Sequence, residues 1–220
     1  MDLNSLDLNS LWATFISTSS PLLPAAVLAR WALPLFWAIV LAFAVPYFTK
    51  SLAKPRGKWL ALIVALWALV PGLWSPTYWL GLAFQLPSLM TVGLCLMALI
   101  LHRHGSARQY FSQATPPVQW LGILLGWLLL LDTFLILPFP LYRWGYSPAM
   151  LTLLSIIAAV LWALGREGAR RGAAMVLAML ALFVLTRLPS GNVFDAVIDP
   201  WLWFGLQFSA FKNWRASRKT

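Results

Sequence analysis

Acidic side chains are scarce in this chain, with 6 Asp and Glu against 16 Lys and Arg in 220 residues. Charged residues of both signs reach only 10%, where a soluble domain carries about a quarter. A surface so poor in charge cannot be solvated as a small soluble protein, because surface-to-volume scaling leaves much of such a chain exposed. Cysteine is nearly missing too. Cys95 stands alone, which excludes an intrachain disulfide and a thiolate-based metal site. The two histidines, His102 and His104, stand at i and i+2, off a common helical face and without a nearby carboxylate. They read as part of a positive patch rather than as metal ligands. Metalloprotease, P-loop and G-x-S-x-G signatures are absent. The last apolar run has no lysine for a retinal Schiff base. A basic start followed by a small-residue cleavage pattern is also absent, so no cleaved signal peptide is expected. No cofactor and no metal are expected from these residues.

What the chain has instead is apolar mass: 61% hydrophobic residues, mean hydropathy +0.78 and 14 tryptophans. Lipid is the solvent that accepts such a composition, and indole rings favour its interface. A hydrocarbon core takes about 20 helical residues. Seven runs qualify, at 25–48, 59–74, 78–101, 118–137, 148–164, 172–188 and 193–211. The pattern predicts an all-α, polytopic transmembrane helix bundle of about seven spans over 25–211. A short interfacial helix in 1–24 precedes it, opening on the duplicated Asp-Leu-Asn-Ser-Leu, and a basic tail at 212–220 follows.

Charge sets the orientation. All the basic residues except Arg30, Arg143 and Arg187 fall in four clusters, at 50–58, 103–108, 166–171 and 212–219, and Glu167 alone among the acids joins them. The positive-inside rule places these clusters in the cytoplasm, with the N-terminus outside and the C-terminus inside. The same clustering makes lipid, not nucleic acid, the expected counterpart of the +10 net charge. Tight loops and strong charge bias suit a bacterial inner membrane, crossed many times.

The last span is the difficult one. Asp199-Pro200 reads as an N-cap followed by proline at the first helical position. A start there leaves a short apolar stretch, whereas a start at Val193 requires a kink at Pro200. A helix break at Gln85-Leu86-Pro87-Ser88 is the corresponding question in the third span. Proline occurs freely here, at Pro34, Pro46 and Pro71, so a continuous third helix is expected.

Candidate functional residues gather toward the outer face. Asp132 lies inside the fourth span, on a helical face with Leu121, Leu125 and Leu128. Beside it, Gly122, Gly126 and Thr133 form a stripe fit for close helix packing. Asp132 reads as half of an ion pair with Arg30, Arg143 or Arg187, or as the coupling residue of a proton or cation transporter. The stretch 187–200 holds Arg187, Asn192, Asp195 and Asp199. On one helix the two aspartates would share a face at i and i+4 and could not both ionise freely. Gly191-Asn192 ahead of Asp195 resembles the lipoprotein signal peptidases, which carry a membrane-embedded aspartate after such a pair. That family has fewer spans and places its second catalytic aspartate much farther along than Asp199, so no role is carried over.

These features predict a non-catalytic integral membrane subunit that anchors or assembles an envelope complex, of the polysaccharide-synthesis or secretion type. Its expected partners are the bilayer and other membrane subunits. Two alternatives accompany it, a small transporter or channel using Asp132 and an outward-facing lipid- or glycan-modifying enzyme using Asp195 and Asp199.

Overall fold

The computed structural model describes residues 8–19, 21–51, 54–103 and 116–218. Among them the regular structure is helical, with no strands. In chain order the helices are α1 (Leu8–Ile16), α2 (Ala26–Phe48), α3 (Pro55–Leu69), α4 (Pro76–Phe84), α5 (Leu89–Arg103) and α6 (Pro116–Thr133). There follow α7 (Leu141–Trp144), α8 (Pro148–Leu164), α9 (Glu167–Thr186), α10 (Val193–Val197) and α11 (Pro200–Ser217). The first copy of the N-terminal duplication, Asp7, the side chains of 8–11, those of the histidine pair, and Arg108 lie outside the described residues.

Helix starts repeat one device. Ser75 precedes Pro76 and accepts the Thr77 amide, and Ser147 precedes Pro148 and accepts the Met150 amide. Asp199 precedes Pro200 and accepts the Leu202 amide through Oδ1 at 2.8 Å. An oxygen-bearing cap satisfies an orphan amide, while proline fixes φ where no donor is needed.

Among the described residues two helices, α2 and α9, are long and apolar enough to cross a membrane, where the hydropathy pattern predicts seven. Only 28% of either apolar window is buried, so neither is the enclosed core helix of a soluble protein. The shortfall has local causes. Helix α3 stops at 15 residues before Val70-Pro71, and α8 at 17 residues before Gly165. The run 78–101, expected to be continuous, divides into α4 and α5. Gln85 takes φ 58° and ψ −139°, and helix resumes after Ser88. Helix α11 starts at Pro200, with Ile198 extended before it, so no helix runs from Val193 through a kink.

The centre is built by α2, α5, α9 and the plug α10. Ala32, Leu89, Leu180, Phe183, Val193, Phe194 and Ala196 form one buried cluster. Helices α6 and α11 pair through the glycine stripe. A Cβ on Gly126 would lie 2.2 Å from the Trp203 ring, and one on Gly122 2.7 Å from Leu206. The Gln119 amide donates to the Leu206 carbonyl at 2.8 Å and the Trp203 indole to the Ile123 carbonyl at 3.2 Å.

Candidate functional site

The broken third helix, the connection around α7 and the stretch 187–200 meet at one place. Breaking a helix frees backbone groups that must find partners away from water. Here the Gln85 carbonyl accepts the Trp37 indole N–H at 2.8 Å, and the Ser88 amide donates to Asp199 Oδ2 at 2.8 Å. Asp199 therefore serves two helix starts, holding the first turn of α11 with one oxygen and the entrance of α5 with the other.

Asn192 is fully buried and makes three bonds. Its Nδ2 donates to the Tyr142 carbonyl at 2.8 Å, its Oδ1 accepts the Phe194 amide at 2.9 Å, and its own amide donates to Ser190 Oγ. Gly145 lies directly beneath, where an added Cβ would come within 1.9 Å of the Asn192 oxygen. The Val193 amide donates to the Gly145 carbonyl. Gly191 has φ +84°, and a Cβ added there would meet the Leu22 carbonyl oxygen at 2.5 Å, so a side chain would be both strained and blocked.

Asp195 accepts the Tyr142 hydroxyl at 2.7 Å and, closely, the Ser190 hydroxyl, both on Oδ2. Partial burial and then this carboxylate push the Tyr142 phenol well above its ordinary range, so it remains a protonated donor. Asp195 and Asp199 do not share a helix, since α10 ends at Val197. They converge instead on a cleft of about 230 Å³, lined also by Gln85, Tyr142, Ser190 and Phe84. Gln85, a non-glycine residue at positive φ, contributes strained backbone to its wall.

The other candidates do not join the cleft. Asp132 sits in the last turn of α6, where its Oδ2 accepts the Tyr142 amide at 2.7 Å. Among the described residues no salt bridge connects it to Arg30, Arg143 or Arg187. Arg143 Nε donates to Thr18 Oγ1, tying the N-terminal segment to α7. Arg187 ends α9 in the left-handed region with its guanidinium 5.5 Å from the Phe183 ring centroid. Arg30 is exposed on the first turns of α2.

Sequence reasoning missed Tyr142, Ser190 and Gly145. Tyr142 lay in an ordinary-looking connection, and only its three-way link to Asp132, Asn192 and Asp195 gives it weight. Among the described residues no three His, Cys, Asp or Glu side chains gather as a metal would require. Comparison of the chain with protein-family models, curated proteins and solved structures gave no match.

Proposed function

We propose that this chain is a non-catalytic, multi-pass subunit of a bacterial inner membrane, anchoring or assembling an envelope complex. The observation that carries the reading is how its outer-face carboxylates are engaged. Asp132 and Asp199 accept backbone amides that would otherwise be orphaned, and Asp195 holds Tyr142 and Ser190. Groups engaged in this way build a rigid outer surface, which is what a docking subunit needs. A transporter reading needs an Asp132 able to gain and lose a proton at membrane depth. Its engagement with the Tyr142 amide at the end of α6 gives that reading little support.

Seven crossings follow if α3, α4–α5, α6, α8 and α11 join α2 and α9 in the bilayer. Large apolar side chains exposed along α3 and α8 (Trp59, Ile63, Leu66, Ile156 and Val160 among them) favour lipid as their surroundings. Purification of the full chain in mild detergent, followed by mass spectrometry, is expected to retain a partner membrane chain. A clean monomer from cells expressing it at native level overturns the subunit reading.

A second reading rests on the cleft itself. Two aspartates, a phenol, a hydroxyl and a strained Gln85 converge there, and strained backbone concentrates at working sites. An outward-facing enzyme acting on lipid or glycan would use Asp195 and Asp199. It predicts that Asp195→Asn leaves partner retention intact and abolishes a modification of envelope lipid or glycan measured by mass spectrometry. The subunit reading expects that envelope chemistry to stay unchanged.

A further inference from the structure

The end of α11 gathers cations and aromatic rings within two turns. Phe208, Phe211 and Trp214 are exposed, and Lys212, Arg215 and Arg218 are exposed beside them. Arg215 Cζ lies 5.7 Å from the Phe211 ring centroid, and Arg218 Cζ lies 3.9 Å from that of Trp214. A guanidinium laid over a ring loses little further freedom on binding and keeps its N–H edges available. Those edges match phosphate oxygens.

The chain has almost nothing to neutralise these cations. Glu167 is the one acidic residue among the basic clusters, and it pairs with Arg171. Among the described residues no carboxylate contacts Lys212, Arg215 or Arg218. The described residues supply no counter-charge to them, and the aromatic ridge points to the source that would. The rings continue the apolar surface of α11 directly into the basic turn, which sets the cations at headgroup depth if the helix crosses. A nucleic acid would approach from water and leave the ridge unused.

We propose that the last two turns of α11 bind the phosphate of an anionic glycerophospholipid in the inner leaflet, and that this lipid helps hold α11 across the membrane. The proposal rests on the reading of α11 as a crossing helix with its C-terminus in the cytoplasm. It adds the ligand to that reading, and it explains how a helix diluted by Gln207, Ser209 and Asn213 is kept in place.

The test is native mass spectrometry of the full chain, released from detergent supplied with phosphatidylglycerol or phosphatidylcholine. Phosphatidylglycerol is expected to stay bound in preference, with retention falling as ionic strength rises. In the triple variant K212Q/R215Q/R218Q its retention should drop roughly tenfold or more, while R215K/R218K, which keeps charge but loses the planar fork, should fall between. Equal retention of the two lipids overturns the proposal, as does salt-independent binding, and both need only the unmodified chain. Tighter binding of a short RNA than of phosphatidylglycerol would make the surface a nucleic-acid site and also overturn it. A C-terminal reporter found outside the cell would instead overturn the crossing of α11. Phosphatidylglycerol indifference with the reporter inside overturns the lipid site alone.

Discussion

Asn192 ties its own stretch to α7 through one side chain, and its bonds leave little room for substitution. Replacing it with alanine removes the partners of the part-buried Tyr142 carbonyl and the buried Phe194 amide together. Each orphaned group costs about 1–3 kcal/mol, so Asn192→Ala is expected to lower stability by about 2–6 kcal/mol, read as a fall in Tm in mild detergent. Asp199 gives a graded test. Asp199→Ala loses the cap of α11, worth about 1 kcal/mol, and orphans the Ser88 amide as well. Asp199→Asn keeps one accepting oxygen and should fall between alanine and the native chain. Asp132→Asn also keeps an acceptor for the Tyr142 amide and is expected to change stability by less than about 1 kcal/mol. Loss of folded protein with that variant would mean that the charge of Asp132, and not its acceptor, matters. Of these roles, only the cap at Asp199-Pro200 could be read directly from the residues. The pairing of Asp132 with an arginine was expected because burial of charge demands a partner, but a backbone amide supplies that partner at lower cost in ordered side chains.

At the scale of elements, the apolar runs of the sequence located helices well where a polar cap or proline marked their ends. Helix α8 occupies 148–164 as the run predicts, because Ser147-Pro148 starts it and Gly165 stops it. The third run misled because hydropathy averages over Gln85-Leu86-Pro87-Ser88. Ser88 caps the resumed helix by accepting the Thr91 amide, but the break is also held by Trp37 and Asp199, which come from far along the chain and leave no local signal. The glycine stripe was legible for a complementary reason, since two glycines four residues apart on an apolar helix have no use for lipid and fit a neighbouring helix. What the stripe could not show was the identity of that neighbour. Helix α11 fills it, with the Trp203 ring against Gly126 and Leu206 against Gly122. Gly126→Leu should therefore push the two helices apart at a cost of about 1–3 kcal/mol. Its readout is a shift in Trp203 emission, taken against a Trp203→Phe control, together with a lower Tm. An unchanged spectrum and Tm would place α11 elsewhere.

For the whole molecule, the pairing of α6 with α11 bears on how the chain sits in a bilayer. Trp203 meets Gly126 and Ile123, and Leu206 lies one turn along against Gly122 and Gln119, so the helices run antiparallel. If α6 ends at the outer face, where Asp132 caps α7, then α11 begins at that face and descends. Its 18 residues span about 27 Å at 1.5 Å per residue, close to a hydrocarbon core of about 30 Å. A surface-lying α11 would forfeit this packing and leave Lys212, Arg215 and Arg218 on the side that the other basic clusters avoid. Reporter fusions are therefore expected to place the N-terminus and the connections at 70–75, 134–147 and 187–199 outside. Those at 50–54, 104–115 and 165–166, with the C-terminus, should lie inside. Moving the fusion point from 199 to 218 should switch the signal from outside to inside. If both points report the same side, α11 does not cross, and the packing of Trp203 against Gly126 should be absent in the membrane. Gly126→Leu separates the cases, because it would disturb the inside signal at 218 only if α6 is what carries α11 through the bilayer.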